Sequence, residues 1–230
     1  MLVIKANIKV NFTRKIIHFI MFVMILDLFE SPIPTFYAQQ INFHVLFYLI
    51  IRSVIFWILY LSLFTKFIRK KIKFFDIAFK SIDRPEDRPH TLKWLISQML
   101  VLYIISIPFI LHFELIGKSK IISILILINY LADGVAEVIG ILFGKHKYKT
   151  NAIFTKKKYT RSLEGSLGFF IISIISLVLY RELFSNIQFI FAILLVPISL
   201  TISEAKSPHT WDNPFLFLIG SILFLFILKI

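Results

Sequence analysis

The chain of 230 residues contains no cysteine, which excludes disulfides, thiolate nucleophiles and thiolate-held metals. Glycine is scarce at 7 residues, and only 13 acidic residues stand against 26 lysines and arginines. A carboxylate inside an apolar run is therefore conspicuous. Residues 1–12 are mixed in character and lack the small-residue cleavage site of a secretory signal. The alternating ten-residue strands of a transmembrane barrel are missing. No segment is duplicated, which argues against the repeats on which ion-coupled transporters are built.

What is abundant is apolar. Hydrophobic residues make up 58% of the chain, with 26 phenylalanines and a mean hydropathy of +0.83. Several runs reach the ~20 residues needed to cross a bilayer. The expectation is an all-α, polytopic transmembrane bundle in one integral membrane domain, residues 1–230. Its spans would number about seven, at 14–29, 43–64, 94–113, 121–143, 165–180, 187–202 and 214–228. Residues 66–82 interleave basic and aromatic side chains at helical spacing, as an amphipathic helix in the headgroup region does. Residues 83–90, DRPEDRPH, read as a polar loop broken by proline.

Charge orients this map. Basic residues fall on alternate sides as 21 against 4, with Arg52 inside a span. The positive-inside rule then places the N-terminus in the cytoplasm and the C-terminus outside. Membrane orientation accounts for the net charge of +13 without a nucleic-acid partner. The same map brings Arg14 and His18, the basic stretch 144–164 and the last inner loop to one cytoplasmic face.

Within the span 121–143, Asp133 and Glu137 lie four residues apart, on one helical face with Asn129. Counted from Phe143, they sit about 15 and 9 Å deep. A carboxylate at mid-membrane costs about 2.5–3.5 kcal/mol, so it faces a cavity, a partner or an ion. A structural ion pair with Arg52 or another basic side chain is one reading, and Mg²⁺ held by hard carboxylate oxygens is the other. Ala132, Ala136, Gly140 and Gly144 recur every four residues, a stripe along which a second helix can approach closely. Next come Lys145, Lys147, Lys149, Lys156, Lys157, Lys158 and Arg161, which serve equally as orientation signals or anion ligands. They lead to 162–168, SLEGSLG, a glycine-containing helix start whose free N–H groups suit phosphate. Glu204, Asp212 and Asn213 fall in the last inner loop.

Together these residues resemble the CTP-dependent membrane lipid kinases, the family of dolichol, phytol and farnesol kinases, related to the phosphatidate cytidylyltransferases. A pattern Asp-x-x-Ala-x-x-x-Gly-x-x-x-Gly-Lys is met by Asp133, Ala136, Gly140, Gly144 and Lys145. A Lys-Thr-x-Glu-Gly-Ser element is met by Arg161, Ser162, Glu164, Gly165 and Ser166, with Arg and Ser replacing Lys and Thr. Arg14, Lys15 and His18 match an Arg-Lys-x-x-His element, and Glu204, Asp212 and Asn213 a late Glu…Asp-Asn element. The resemblance implies transfer of phosphate from CTP, with Mg²⁺, to a membrane alcohol such as phytol, farnesol, a dolichol-like polyprenol or diacylglycerol. It implies a cytoplasm-facing site in a cell inner membrane, or in an endoplasmic reticulum or plastid-type membrane. Asp133 and Glu137 would hold Mg²⁺, while Lys145, Arg161 and the 162–166 backbone bind the triphosphate. Asp212 or Glu204 would complete the metal shell or orient the hydroxyl, with Arg14 and His18 closing the site. The stretch 201–215 lacks the basic residue between two aspartates that marks the cytidylyltransferases, which favours the kinase branch.

Overall fold

A computed structural model of the chain describes residues 10, 13–16, 19, 43–153, 156 and 158–230. Most of the expected first span, with His18, lies outside the described residues. From residue 43 the chain is mostly helical: α1 Phe43–Ser62, α2 Lys66–Lys71, α3 Lys73–Lys80 and α4 Thr91–Leu115 come first. They are followed by α5 Lys120–Phe143, α6 Leu163–Leu179, α7 Asn186–Lys206 and α8 Asp212–Ile227. Among the described residues, three helices (α4, α5 and α7) are long and apolar enough to cross a membrane.

The apolar faces divide into two populations. Phe113, Leu125, Phe169, Leu200, Leu216 and Phe224, drawn from α4 to α8, are fully buried against one another. Outward ridges run at helical spacing: Ile96, Leu100 and Ile104 on α4, Leu167, Ile171 and Ile175 on α6, and Ile190, Leu194 and Ile198 on α7. Apolar ridges of that extent facing outward are compatible with a lipid surround.

Local chemistry sets the ends. Ser162 Oγ accepts the Gly165 N–H at 3.1 Å and caps α6. Ser185 and Gln188 form a reciprocal capping box at α7. Gly117, at φ +66°, closes α4, with the Lys118 N–H reaching Phe113 O at 2.8 Å.

Two expectations change. The stretch 66–82 is not one helix: Ile72 is extended (φ −122°, ψ 102°) between α2 and α3. The break folds Arg69 over the Phe79 ring at 3.8 Å. The basic stretch 144–164 is not all irregular either. Strands β1 Lys147–Thr150 and β2 Tyr159–Ser162 pair antiparallel, with Tyr148 opposite Arg161, so the molecule is helical with one small sheet. Alternating tyrosine and threonine with charged residues suits a pleated surface.

Candidate functional site

Helix α5 is the site's main wall, and it is not a uniform helix. Leu127–Ala132 is π-helical, between an α-helical Lys120–Ile126 and Asp133–Phe143. Widened turns free backbone carbonyls and recur at functional sites. Here the Asn129 amide donates to Leu125 O at 2.9 Å, so Asn129 serves the helix itself and does not line the site. Immediately after the widened turns come Asp133 and Glu137.

Along α5, the small residues admit α6. A Cβ on Gly165 would lie 2.8 Å from the Ala136 carbonyl and 3.5 Å from Gly140 Cα. That close crossing sets Ser162 and Ser166 beside the α5 acids.

A cavity of about 690 Å³ opens there. Of the residues singled out from sequence, it is lined by Arg14, Asp133, Glu137, Gly140, Gly144, Arg161, Ser162, Gly165, Ser166, Glu204, Asp212 and Asn213. Glu204 closes the last turn of α7 and Asp212 opens α8, so neither sits in a free loop. Lys145 and Glu164 do not line it. Glu164 turns away to accept from the His146 backbone N–H at 3.1 Å, with His146 Nδ1 2.7 Å from it. Lys147, at the start of β1, and Lys158 line it and supply the cations that Lys145 does not.

Two charge clusters organise the cavity. In the first, Lys15 Nζ lies 2.8 Å from Asp133 Oδ2 and 3.0 Å from Glu137 Oε2, while Arg84 Nη1 is 3.5 Å from Glu137 Oε1. The acids thus form the ion pairs that the sequence allowed, with Lys15 and Arg84 as the basic partners rather than Arg52. In the second, Arg161 donates to the Glu204 carboxylate and its backbone carbonyl, and reaches Asp212 Oδ2 at 3.3 Å. Ser166 Oγ is 2.8 Å from the Tyr148 hydroxyl and 3.4 Å from Glu204 Oε2.

A buried clamp joins the loops behind these clusters. Arg84 Nε donates to Asp87 Oδ2 at 2.7 Å, and Arg14 Nη1 is 3.8 Å from the same oxygen. His209 Nε2 lies 2.9 Å from both Asp87 Oδ1 and Arg84 Nη2, and its ring stacks on Tyr159 at 3.6 Å. Burial, helped by Arg84, pushes His209 below its ordinary range despite Asp87. Burial would raise Asp87, but the His209 hydrogen bond and the Arg84 and Arg14 charges hold it lower. Thr210, next in the chain, holds φ at 70° and lines the cavity. A non-glycine residue there is strained, as residues at functional sites often are.

Sequence reasoning missed Arg84, Asp87 and His209, and it gave Lys15 no role. The signal was present in the RPED and SPHTWDN stretches: polar residues dense enough to need partners, in loops too short to leave the surface of the bundle.

The rest of the lining is largely apolar and aromatic: Trp57, Tyr60 and Leu61 of α1, Leu95 and Met99 of α4, and Tyr130 and Ile141 of α5. In total six basic side chains (Arg14, Lys15, Arg84, Lys147, Lys158, Arg161) and four carboxylates line it among the described residues. The excess is positive, as a polyphosphate requires. Among the described residues, no group of three or more His, Asp or Glu gathers at one point. Two carboxylates do converge, and the Lys15 ammonium stands where they meet. A hard divalent cation that keeps several waters needs no more than one or two protein carboxylates, so Asp133 and Glu137 fit Mg²⁺.

No protein-family model matches the chain, and no curated protein or solved structure matches it.

Proposed function

We propose that the protein is a membrane kinase that moves the γ-phosphoryl group of CTP onto the hydroxyl of a lipid alcohol. The observation that carries this reading is the mixed lining of the cavity. Its carboxylates and cations share one cavity with aromatic and apolar side chains, between helices whose outer ridges suit lipid. The long tail of an alcohol would rest on Trp57, Tyr60 and Met99 while its hydroxyl meets the charged residues.

In the reaction the lipid oxygen forms a bond to the γ-phosphorus, the β–γ bridging bond breaks, and CDP leaves. Mg²⁺ bound at Asp133 and Glu137 would supply charge neutralisation for the triphosphate. Arg161, Lys147 and Lys158 would hold phosphate oxygens, and the capped start of α6 would offer N–H groups to the same anion. Arg161 pairs with Glu204 and Asp212, and Ser166 meets Glu204; one of these carboxylates would accept the hydroxyl proton. The proposal includes about seven spans, a cytoplasmic N-terminus and a site open to the cytoplasm.

The experiment is a transfer assay with CTP labelled at the γ-phosphate and a panel of prenols and diacylglycerol. A kinase labels the lipid. An unlabelled lipid with release of pyrophosphate identifies a cytidylyltransferase instead. Asp133→Asn is expected to abolish labelling while the protein still inserts and purifies; wild-type turnover in that variant would remove the metal assignment.

A further inference from the structure

We infer that Lys15 is a built-in counter-ion for Asp133 and Glu137, so that a divalent cation is admitted only together with the polyphosphate onto which Lys15 moves. The inference rests on the metal-nucleotide reading above and assigns Lys15 a place in it.

The geometry is that of an occupied cation site. Lys15 is 5% exposed, and its ammonium bridges the two carboxylates at 2.8 and 3.0 Å, with the Asp133 backbone carbonyl at 3.5 Å. Around this point, Arg14, Lys15 and Arg84 face Asp133, Glu137 and Asp87, three positive charges against three negative. Adding a doubly charged ion to that balanced set leaves two charges uncompensated in a region largely withdrawn from water. Such a state is costly without further anions.

A polyphosphate supplies those anions. It also gives the displaced ammonium a destination, because the Lys15 stem is a flexible four-carbon chain carrying three rotatable donors. The neighbouring arginines cannot make the same exchange, since both are engaged by Asp87 from a second side. Metal and nucleotide binding are therefore coupled, each raising the affinity for the other by the same factor. In the absence of both, Lys15 neutralises acids that would otherwise repel each other inside the bundle.

The test is Mn²⁺ binding, followed by electron paramagnetic resonance, on the full-length protein in detergent with and without CTP. Wild type is expected to bind Mn²⁺ about tenfold or more tightly when CTP is present, since CTP supplies the anions that the balanced set lacks. Lys15→Met is expected to bind Mn²⁺ without CTP, and to lose most of that coupling. Equal Mn²⁺ affinity with and without CTP in wild type overturns the inference, whether or not the variant folds. So does a folded Lys15→Met protein that gains no CTP-independent Mn²⁺ binding. If neither Mn²⁺ nor CTP binds wild type under any combination, the proposed kinase reading fails as well.

Discussion

Arg161 holds two helices at once. One guanidinium bonds Glu204 at the end of α7 and Asp212 at the start of α8. A lysine, the residue in the resembled pattern, offers a point charge and no fork, so the exchange is not conservative here. Glu204 is 8% exposed at its side chain, and removing its partner leaves a buried carboxylate uncompensated. Arg161→Met should therefore cost about 3 kcal/mol or more in thermal unfolding of the solubilised protein. Arg161→Met combined with Glu204→Gln should recover part of it; an additive loss in the double variant would show that the two do not act as a pair. His209 gives a pH signature at the same scale. Its folded value lies below its ordinary 6.5, so the unfolded chain takes up the proton first. The stability it contributes is complete above about pH 6.5 and is lost as pH falls toward the folded value. Melting temperatures should drop on acidification from pH 7.5 to 5.5, and His209→Gln should flatten that slope. Charged residues inside apolar runs were readable from sequence because the membrane makes them expensive. Lys15, Arg84 and Asp87 were not, since their meaning depends on partners up to 125 positions away.

At the scale of elements, the crossing of α5 and α6 was the most legible feature and the hairpin the least. Small residues every fourth position have one strong use in a bilayer, which is close helix contact. Their partner turns out to be α6, and the two glycines facing α5 there are not equivalent. A Cβ on Gly165 meets the Ala136 backbone carbonyl at 2.8 Å, which cannot yield without moving the helix. A Cβ on Gly168 meets the tip of the Ile139 side chain at 2.6 Å, which can change rotamer. Gly165→Ala should cost about 1–3 kcal/mol, with Gly168→Ala well below it; equal losses in unfolding would contradict the close crossing. The widened turn at Leu127–Ala132 leaves no mark in hydropathy, because π and α turns bury the same residues. The hairpin was hidden by its lysines, which read as loop until strand pairing gives alternate residues opposite faces. Lys147 opens β1 and lines the cavity, whereas Lys145 precedes the strand and does not.

At the scale of the molecule, the sequence map brought three separated stretches to one face: Arg14 with His18, 144–164 and the last inner loop. Arg14, the α5–α6 turn and the α7–α8 turn do line one cavity, and the loop carrying Arg84 joins them there. Their common side carries most of the basic residues, and the proposed orientation follows from it. A phosphatase or fluorescent reporter placed after Lys229 should score external; a cytoplasmic result would break the seven-span map. The order of these stretches along the chain also bears on biosynthesis. Lys15 and Arg84 leave the ribosome before Asp133 and Glu137, so each acid meets a cation already made when its helix has to enter the bilayer. Arg161 likewise precedes Glu204 and Asp212. On the proposed membrane reading, insertion from the N-terminus would thus never ask an acid of this site to wait for its partner, whereas the reverse order would carry Asp133 and Glu137 into lipid unpaired.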